Sequence, residues 1–322
     1  MSRRPRRNRK SASIRKMISE TNVTADDLIY PLFLVDGKNI KQEITTLPGN
    51  YRWSIDKLLP EIESCMNVGL HAFVLFPGVE EAFKDKTASY GLDEKNFYLK
   101  AASQIKTRFP ELTLISDVAL DPYSSDGHDG LVKDGKILND ETVELLGQMA
   151  VLQAQAGFDI IGPSDMMDGR IAYIREDLDD AGFSDTSIMS YTAKYASQFY
   201  GPFRDALESQ PKSGDKKTYQ MDPANRQEAI LEAELDEEEG ADFLMVKPAV
   251  HYLDVIQSLK QNFDLPIAAY HVSGECAMLE YAIQKGWMDR KKGIHETLTS
   301  IKRAGADVML TYYAKQFCTL QI

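Results

Sequence analysis

The sequence predicts an α/β protein folded as a (β/α)₈ TIM barrel with an extended N-terminal arm. Two observations support this prediction. Eight short apolar runs alternate with longer amphipathic stretches, and several of these runs are too continuously apolar for strands with one face in water. A doubly wound open sheet is the alternative, but the chain has no glycine-rich dinucleotide-binding fingerprint to support it.

The predicted strands are spaced so that a helix fits between consecutive strands. They cover residues 29–35, 71–77, 112–120, 158–163, 187–195, 243–248, 266–273 and 308–313. Helical spacing is clearest over residues 140–156, with an N-cap expected at Asn139 or Asp140 and a C-cap at Gly157. Similar helical patterns cover residues 223–239 and 274–285.

Residues 200–221 do not fit a simple connection between a strand and a helix. They contain the motif GPFRDA, followed by the polar, turn-rich stretch SQPKSGDKK. A long ordered loop at the catalytic face of a barrel is often a lid, so we predict that residues 200–221 form the active-site lid.

Charge divides the chain into an N-terminal arm, residues 1–25, and a catalytic barrel, residues 26–322. The formal net charge is -12, yet the arm has a run of basic residues before its first acid, Glu20: Arg3, Arg4, Arg6, Arg7, Arg9, Lys10, Arg15 and Lys16. Such an arm suits docking on an acidic neighbouring subunit. Nucleic-acid or membrane contact is the less favoured alternative, because no apolar face accompanies the charges and the net charge is negative.

The cysteines indicate neither a disulfide framework nor a zinc site. Cys65, Cys276 and Cys318 lie far apart and form no CxxC pair, which fits a reducing cytoplasm. No apolar run reaches the roughly 18 residues of a membrane-spanning helix, and no apolar stretch follows the basic start as it would in a secretory signal.

Two lysines end predicted strands: Lys194 in MSYTAKY and Lys247 in FLMVKPA. Barrel enzymes place their chemistry at the carboxyl ends of the strands. Burial and a second nearby cation both lower a lysine pKa, which leaves a free amine that can attack a ketone. A single such lysine would more often pair with a carboxylate or reach solvent, but two at neighbouring strand ends favour a Schiff-base role.

Several motifs then point to one family. They are GPSDMMDGR, SYTAKYAS, YGPFRDA, YQMDPANRQEA, MVKPA followed by HYLDVI, and YHVSGE. In this order, over nearly the whole chain, they resemble porphobilinogen synthases, also called 5-aminolevulinate dehydratases. The resemblance implies a lyase of heme and chlorophyll biosynthesis that condenses two 5-aminolevulinate molecules through lysine Schiff bases, without an organic cofactor.

The resemblance also implies two substrate subsites, A and P. Lys247 would bind the P-side substrate as an imine, and Lys194 the A-side substrate. The P-side carboxylate would be held by Ser273 and Tyr312. The A-side carboxylate would be held by three lid residues, Arg204, Lys216 and Gln220. Lys216 stands where arginine is common in the family, and an ammonium binds a carboxylate as a point charge rather than as a fork.

Four polar residues complete the expected site, one near the end of the third predicted strand and three after the fourth. By resemblance, Asp117 would contact the substrate amine or assist proton transfer. Asp165 and Asp168 are expected to point toward the lysines as charge partners, and Ser164 is a lesser candidate beside them.

The metal expectation rests on residues 117–130. Zinc-dependent members of the family have three cysteines where this chain has Ala119, Asp121 and Asp129. Carboxylates suit magnesium, so the chain resembles the cysteine-free, magnesium-responsive type. An active-site magnesium at Asp121 and Asp129 and a merely solvated acidic loop both remain open. By resemblance, Glu232 would bind an allosteric magnesium, with an ordinary exposed helical glutamate as the alternative.

The family resemblance implies a homo-octamer in which each arm wraps a neighbouring barrel, in the cytoplasm or a plastid. A class I Schiff-base aldolase on the same barrel is the competing function. It predicts phosphate-binding glycines after the seventh and eighth strands, where VSGECAM offers one glycine. A binding or scaffold protein that uses the arm is the remaining alternative.

Overall fold

The structure is a computed structural model that describes residues 2–207 and 211–320. Its strands are β1 Leu28–Val35, β2 Lys41–Glu43, β3 Tyr51–Trp53, β4 Ala72–Gly78, β5 Thr113–Ile115, β6 Leu131–Lys133, β7 Lys136–Leu138, β8 Ile160–Ile161, β9 Ser187–Lys194, β10 Phe243–Lys247, β11 Ile267–His271 and β12 Val308–Thr311. Its α-helices are α1 Ala12–Met17, α2 Ile55–Met66, α3 Phe97–Arg108, α4 Asn139–Ala156, α5 Arg170–Asp180, α6 Gly201–Leu207, α7 Gln227–Glu238, α8 Leu253–Asn262, α9 Ser273–Gln284, α10 Arg290–Ala304 and α11 Ala314–Thr319.

Eight of these strands form a closed parallel barrel within the described residues. Its order is β1, β4, β5, β8, β9, β10, β11 and β12, and β12 returns to pair with β1 through Leu28 and Met309. Helices lie between consecutive barrel strands, so both faces of the sheet are covered. The predicted (β/α)₈ barrel is confirmed, and each predicted strand overlaps one barrel strand.

The burial of the strands explains why their apolar runs are continuous. Seven of the eight residues of β1 are buried, as are all five residues of β11. One side of each strand packs in the barrel interior and the other packs against the helices, so neither side needs polar residues. The alternation typical of half-exposed strands is therefore missing.

Two helix starts differ from the predictions. Helix α4 begins at Asn139 and its N-cap is Leu138, whereas Gly157 is the left-handed C-cap, with φ of 102°. Helix α7 begins at Gln227 rather than near residue 223, because residues 222–225 form a turn in which Asp222 accepts from the backbone N–H of Ala224 and Asn225. Local hydrogen bonds of this kind compete with helix formation.

Four short strands were absent from the predictions. β2 and β3 are antiparallel and extend the sheet beside β1, and β6 and β7 form a separate hairpin over residues 131–138. Each has three residues, which is too short for a period-two pattern to be distinguished from a loop.

The arm and the lid both contain regular structure. The arm has a 3₁₀ turn at Pro5–Arg9 followed by α1, and its Met17 and Ile18 side chains are 80% and 51% exposed. The lid contains α6 and a loop over residues 211–221. Residues 208–210 of the predicted lid, Met1 of the arm and residues 321–322 of the barrel lie outside the described residues. No helix in the described part of the chain has the length and apolar character needed to span a membrane.

Candidate active site

Lys194 and Lys247 are neighbours at the carboxyl ends of adjacent strands. Lys194 is the last residue of β9, Lys247 is the last residue of β10, and the two are paired in the parallel register. Each is only 6% exposed. The barrel therefore brings two buried amines to the end where barrel enzymes carry out their chemistry.

Aromatic rings surround the Lys247 amine. Its Nζ lies 4.7 Å from the ring centre of Tyr270 and 5.1 to 5.2 Å from those of Tyr191, Tyr200 and Phe203. Burial, and after it the charge of Lys194, lower the pKa of Lys247 from 10.5 to about 7. A substantial fraction of this amine is therefore uncharged and nucleophilic at neutral pH.

Lys194 has an anionic and polar environment instead. Its Nζ donates to Asp129 Oδ2 at 3.3 Å and to the carbonyl oxygen of Ser164. The two amines therefore have different environments: aromatic rings surround that of Lys247, whereas that of Lys194 is ion-paired.

Asp117 lies beside both lysines, just after β5. Its Oδ1 accepts a hydrogen bond of 2.7 Å from Ser164 Oγ. Burial, and next the charge of Asp121, raise the pKa of Asp117 to about 7, although Ser164 and the lysines oppose the rise. This carboxyl can therefore gain or lose a proton near neutral pH.

Asp165, the residue that follows Ser164, is also buried. Its Oδ1 accepts from the Met167 backbone N–H at 2.7 Å, and its Oδ2 has no hydrogen-bond partner in the described structure and lies 4.0 Å from Arg170 Nε. Burial raises the pKa of Asp165 to about 6, against the opposing charge of Arg170.

A lid lysine meets two aspartates in this site. Lys216 Nζ lies 2.7 Å from Asp129 Oδ1 and 3.2 Å from Asp121 Oδ2. Burial opposes ionisation of Asp129, but the ammonium groups of Lys194 and Lys216 outweigh it and lower the pKa of Asp129 to about 2. Burial raises the pKa of Asp121, and the Lys216 ammonium opposes that rise.

The lid residues expected to hold one carboxylate share a cavity. Arg204, Lys216 and Gln220 line a space of about 160 Å³. Gln220 is buried, and its Oε1 has no hydrogen-bond partner among the residues that the structure describes. The cavity thus combines two cationic side chains with a buried amide.

The residues expected to hold the other carboxylate contact residues whose rings surround Lys247. Tyr312 follows β12, and its hydroxyl is 3.0 Å from that of Tyr270, one of the rings around Lys247. Ser273 begins α9, and its Oγ accepts from the backbone N–H of Phe203 in α6 at 3.0 Å. Both are buried, so their hydroxyls are available only inside the barrel mouth.

Asp168 does not join the lysines, contrary to the expectation. Asp168 is exposed. Together with Glu228 and Glu232 of α7, it lines a cavity of about 900 Å³. Its backbone N–H donates to Asn139 Oδ1 at 2.8 Å, which fixes this end of the loop against α4. The loop turns between Asp165 and Asp168, so only the first carboxylate stays close to the lysine site.

Comparisons with known proteins agree with this geometry. A family model described as Delta-aminolevulinic acid dehydratase matches residues 2–320. The delta-aminolevulinic acid dehydratase of Chlamydia pneumoniae is 56% identical, with 98% of this chain and 95% of the relative covered. That of Bradyrhizobium diazoefficiens is 52% identical, with 97% of this chain and 88% of the relative covered. The chain belongs to the delta-aminolevulinic acid dehydratase family.

A solved structure supports the same assignment. The delta-aminolevulinic acid dehydratase (porphobilinogen synthase) of Toxoplasma gondii ME49, in complex with the reaction product porphobilinogen, is similar with a TM-score of 0.98 and 49% identity. The match covers 99% of this chain and 92% of the other. The similarity to the delta-aminolevulinic acid dehydratases therefore includes the sequence, the barrel and its connecting loops.

Delta-aminolevulinic acid dehydratases are in general metal-dependent, so the donor atoms of this site matter. Asp121 and Asp129 both face the Lys216 ammonium, and Ala119 offers no donor. Among the described residues no group of three or more His, Cys, Asp or Glu side chains is arranged to hold a metal. This pair therefore does not fit a divalent metal in the described arrangement.

Glu232 lies in a second acidic part of the structure. Burial raises the pKa of Glu232 to about 7; Arg170 opposes the rise, and Asp236, Asp168 and Glu228 add to it. The side chain lines the large cavity beside Asp168 and Glu228. A cation would relieve the repulsion between these carboxylates.

Two features of the site were missing from the sequence-based expectations. The first is the set of rings around Lys247, of which the sequence shows only that Tyr191 and Tyr270 lie within predicted strands. The second is Arg170 in the motif GPSDMMDGR. Its Nη1 and Nη2 each lie 3.2 Å from a carboxylate oxygen of Asp236, and its Nη2 donates to Ser190 Oγ at 3.1 Å.

Proposed function

We propose that Lys247 and Lys194 carry the reaction of this delta-aminolevulinic acid dehydratase as Schiff bases. The enzyme is a lyase that condenses two molecules of 5-aminolevulinate to porphobilinogen with loss of two waters. The observation that carries the proposal is the pairing of two buried lysines at neighbouring strand ends in unlike environments. A class I aldolase forms an imine with a single ketone substrate, so a second buried lysine is less expected for that alternative.

Lys247 acts as the first nucleophile. Its pKa of about 7 supplies uncharged amine, which attacks the substrate ketone and releases one water as the imine forms. Protonated, the imine is an electron sink that acidifies the neighbouring carbon. The rings of Tyr191, Tyr200 and Tyr270 keep bulk water away from it.

Lys194 holds the second substrate in the same way. Its ion pair with Asp129 keeps the amine in place, and proton transfer to a neighbouring carboxylate frees it for attack. Asp117, with a pKa of about 7, is suited to that transfer and to the proton removal that precedes carbon–carbon bond formation. Ser164 orients Asp117, and Asp165 supplies a second carboxyl nearby.

The two substrate carboxylates bind at two different sets of residues. Ser273 and Tyr312 donate hydroxyl hydrogen bonds on the Lys247 side. Arg204, Lys216 and Gln220 line the cavity on the lid side, where two cations suit an anion. The lid, residues 200–221, and the barrel, residues 26–322, thus form one active site.

We further propose magnesium, rather than zinc, as the metal to which this enzyme responds. Glu232 would hold it, with Asp168 and Glu228 in the same cavity, and a hard cation with carboxylate and water ligands suits this set. The bound metal would supply charge neutralisation next to α7. Residues 1–25 would assemble the enzyme as a homo-oligomer, an octamer by family resemblance.

The proposed location is the cytoplasm, with a plastid as the alternative. Relatives named chloroplastic, such as that of Physcomitrium patens at 52% identity, support the alternative. The formation of porphobilinogen does not require any feature of this chain that is specific to the cytoplasm or to a plastid.

The test of the proposed site is a comparison of porphobilinogen formation from 5-aminolevulinate by the wild type, Lys247→Met and Lys194→Met. We expect both variants to lose at least about 10⁴-fold in rate, since removing a member of a covalent catalytic group costs about 10⁴- to 10⁶-fold. Borohydride should trap a substrate adduct at Lys247 in the wild type, located by peptide mass spectrometry, and no adduct at position 247 in Lys247→Met. Full activity of either variant would contradict the assignment of that lysine.

The metal proposal has its own measurement. EDTA should lower the rate of porphobilinogen formation, and magnesium should restore it whereas zinc should not. Glu232→Gln should lose the response to magnesium while keeping borohydride trapping of the substrate. A wild-type rate that is the same in EDTA and in magnesium would refute the proposed response.

A further inference from the structure

The Asp121–Asp129 pair already has a cation in the described arrangement. Lys216 Nζ donates to Asp129 Oδ1 at 2.7 Å and to Asp121 Oδ2 at 3.2 Å, and the Lys216 side chain is 9% exposed. The other oxygen of Asp129 faces Lys194 at 3.3 Å. Two carboxylates and two ammonium groups therefore balance each other in a buried cluster.

The charge balance excludes an additional divalent ion. A divalent cation between the two carboxylates would lie against two ammonium groups, and like charges at these separations in a buried site repel strongly. Lys194 is at the end of β9 and cannot withdraw far, since its strand is part of the barrel. Lys216 is therefore the group that would have to leave.

Lys216 belongs to a lid loop that is docked on the segment of the two aspartates. Other contacts hold the same lid loop against residues 126–129: the Lys212 N–H donates to the Asp126 carbonyl at 3.0 Å, and the two ring nitrogens of His128 lie 3.1 Å from Tyr219 Oη and 2.9 Å from the Ser213 carbonyl oxygen. Lys216 lies between these contacts along the chain. The position of its ammonium is thus set by lid docking.

We propose that the Lys216 ammonium is a tethered cation that takes the place of a divalent metal at Asp121 and Asp129, so that this pair excludes divalent metal while the lid is docked. The proposal concerns the same site as the proposed function, but it depends on charge and geometry and not on turnover. Its consequence is that Lys216 has two anionic partners to exchange, the aspartate pair and an incoming carboxylate.

The test measures Mn²⁺ binding to full-length protein by equilibrium dialysis, with Glu232→Gln in every sample so that the cation site proposed there is absent. The parent is the chain with Glu232→Gln alone. We expect Lys216→Gln to bind one more Mn²⁺ per chain than this parent. Adding Asp129→Asn to Lys216→Gln should abolish that gain. Lys216→Arg is the matched control, since it keeps a cation, and should show no gain.

Two outcomes would overturn the proposal. One is a folded Lys216→Gln variant, by circular dichroism, that gains no Mn²⁺. The other is a parent that already binds Mn²⁺ and loses it with Asp129→Asn, a comparison that holds even if Lys216→Gln fails to fold. Because the dialysis contains no substrate, its result is independent of whether the wild type forms porphobilinogen.

Lid docking is followed in the same samples by trypsin cleavage after Lys212, a site in the lid loop that both Lys216 variants keep. Loss of the Lys216 contacts should speed this cleavage in Lys216→Gln relative to Lys216→Arg. Equal cleavage rates in the two variants would contradict the tethering role.

Discussion

Lys194 and Lys247 are paired in the register of β9 and β10, yet they have different properties because their neighbours differ. Lys247 has rings around it and a pKa lowered to about 7 by burial and by Lys194. Lys194 has a carboxylate and a carbonyl around it. Burial removes water from both amines, but only Lys194 gains a counter-ion in exchange, and this difference separates a ready nucleophile from a paired ammonium.

The charge of Lys194 contributes to the reactivity of Lys247, and this contribution can be measured. Replacing Lys194 by Met removes a like charge, so the pKa of Lys247 should rise. The free amine appears only above that pKa, so the midpoint of borohydride trapping against pH should move upward from about 7. Peptide mass spectrometry of the adduct at Lys247, at a series of pH values, gives the midpoint.

Lys194→Arg is the matched variant, because it keeps the positive charge. Its midpoint should stay close to that of the wild type. A Lys194→Met midpoint that does not move would mean that burial alone lowers the pKa of Lys247.

At the scale of elements, α5, α7 and β9 are joined by one buried ion pair. Arg170 at the start of α5 meets Asp236 of α7, with 2% exposure on each side chain, and Asp236 also accepts hydrogen bonds from Ser190 and Thr192 of β9. The pair connects the loop of Asp165 to the helix of Glu232. A buried ion pair of this kind is costly to break, since the remaining charge has no replacement partner.

We expect Arg170→Met to destabilise the protein by about 3–5 kcal/mol, because it leaves the Asp236 carboxylate buried without its counter-ion. Arg108→Met is the matched control. It removes an ion pair with Glu63 in which the side chains are 47% and 53% exposed, and it should cost only about 0–1 kcal/mol. Urea unfolding followed by circular dichroism measures both, and similar losses in the two variants would contradict the buried role.

At the scale of the whole molecule, the closed barrel and the exposed arm differ in how much apolar surface they bury. The barrel buries its strands on both faces and has paired strand edges all round. The arm leaves Met17 and Ile18 largely exposed beside a dense set of basic residues. A segment of this kind buries too little apolar surface to hold its structure alone, so it needs a partner surface.

Deleting residues 2–25 should therefore lower the oligomeric state without unfolding the barrel. Light scattering gives the mass, and circular dichroism checks the fold. A full-length chain with Met17→Gln and Ile18→Gln keeps the charges and the length, and so tests the apolar share of the contact. An unchanged octameric mass after the deletion would refute the role of the arm in assembly.

Much of the fold could be predicted from sequence because its signals are local. A strand buried on both faces shows as a continuous apolar run, and eight such runs with helical spacing between them specify the barrel. Short strands such as β2 and β6 could not be predicted, because three residues are too few to show the alternation of apolar and polar residues that indicates a strand. The start of α7 was missed because local hydrogen bonds of Asp222 compete with the helix.

By itself, the sequence determined the barrel, the family and the position of both lysines at strand ends, because each is encoded in a short run of neighbouring residues. The tertiary structure alone decided which charges meet. Lys216 and Asp121 are 95 residues apart, and Arg170 and Asp236 are 66 apart. The structure also moved Asp168 away from the lysines and surrounded Lys247 with rings, because the direction of a side chain depends on how distant segments pack.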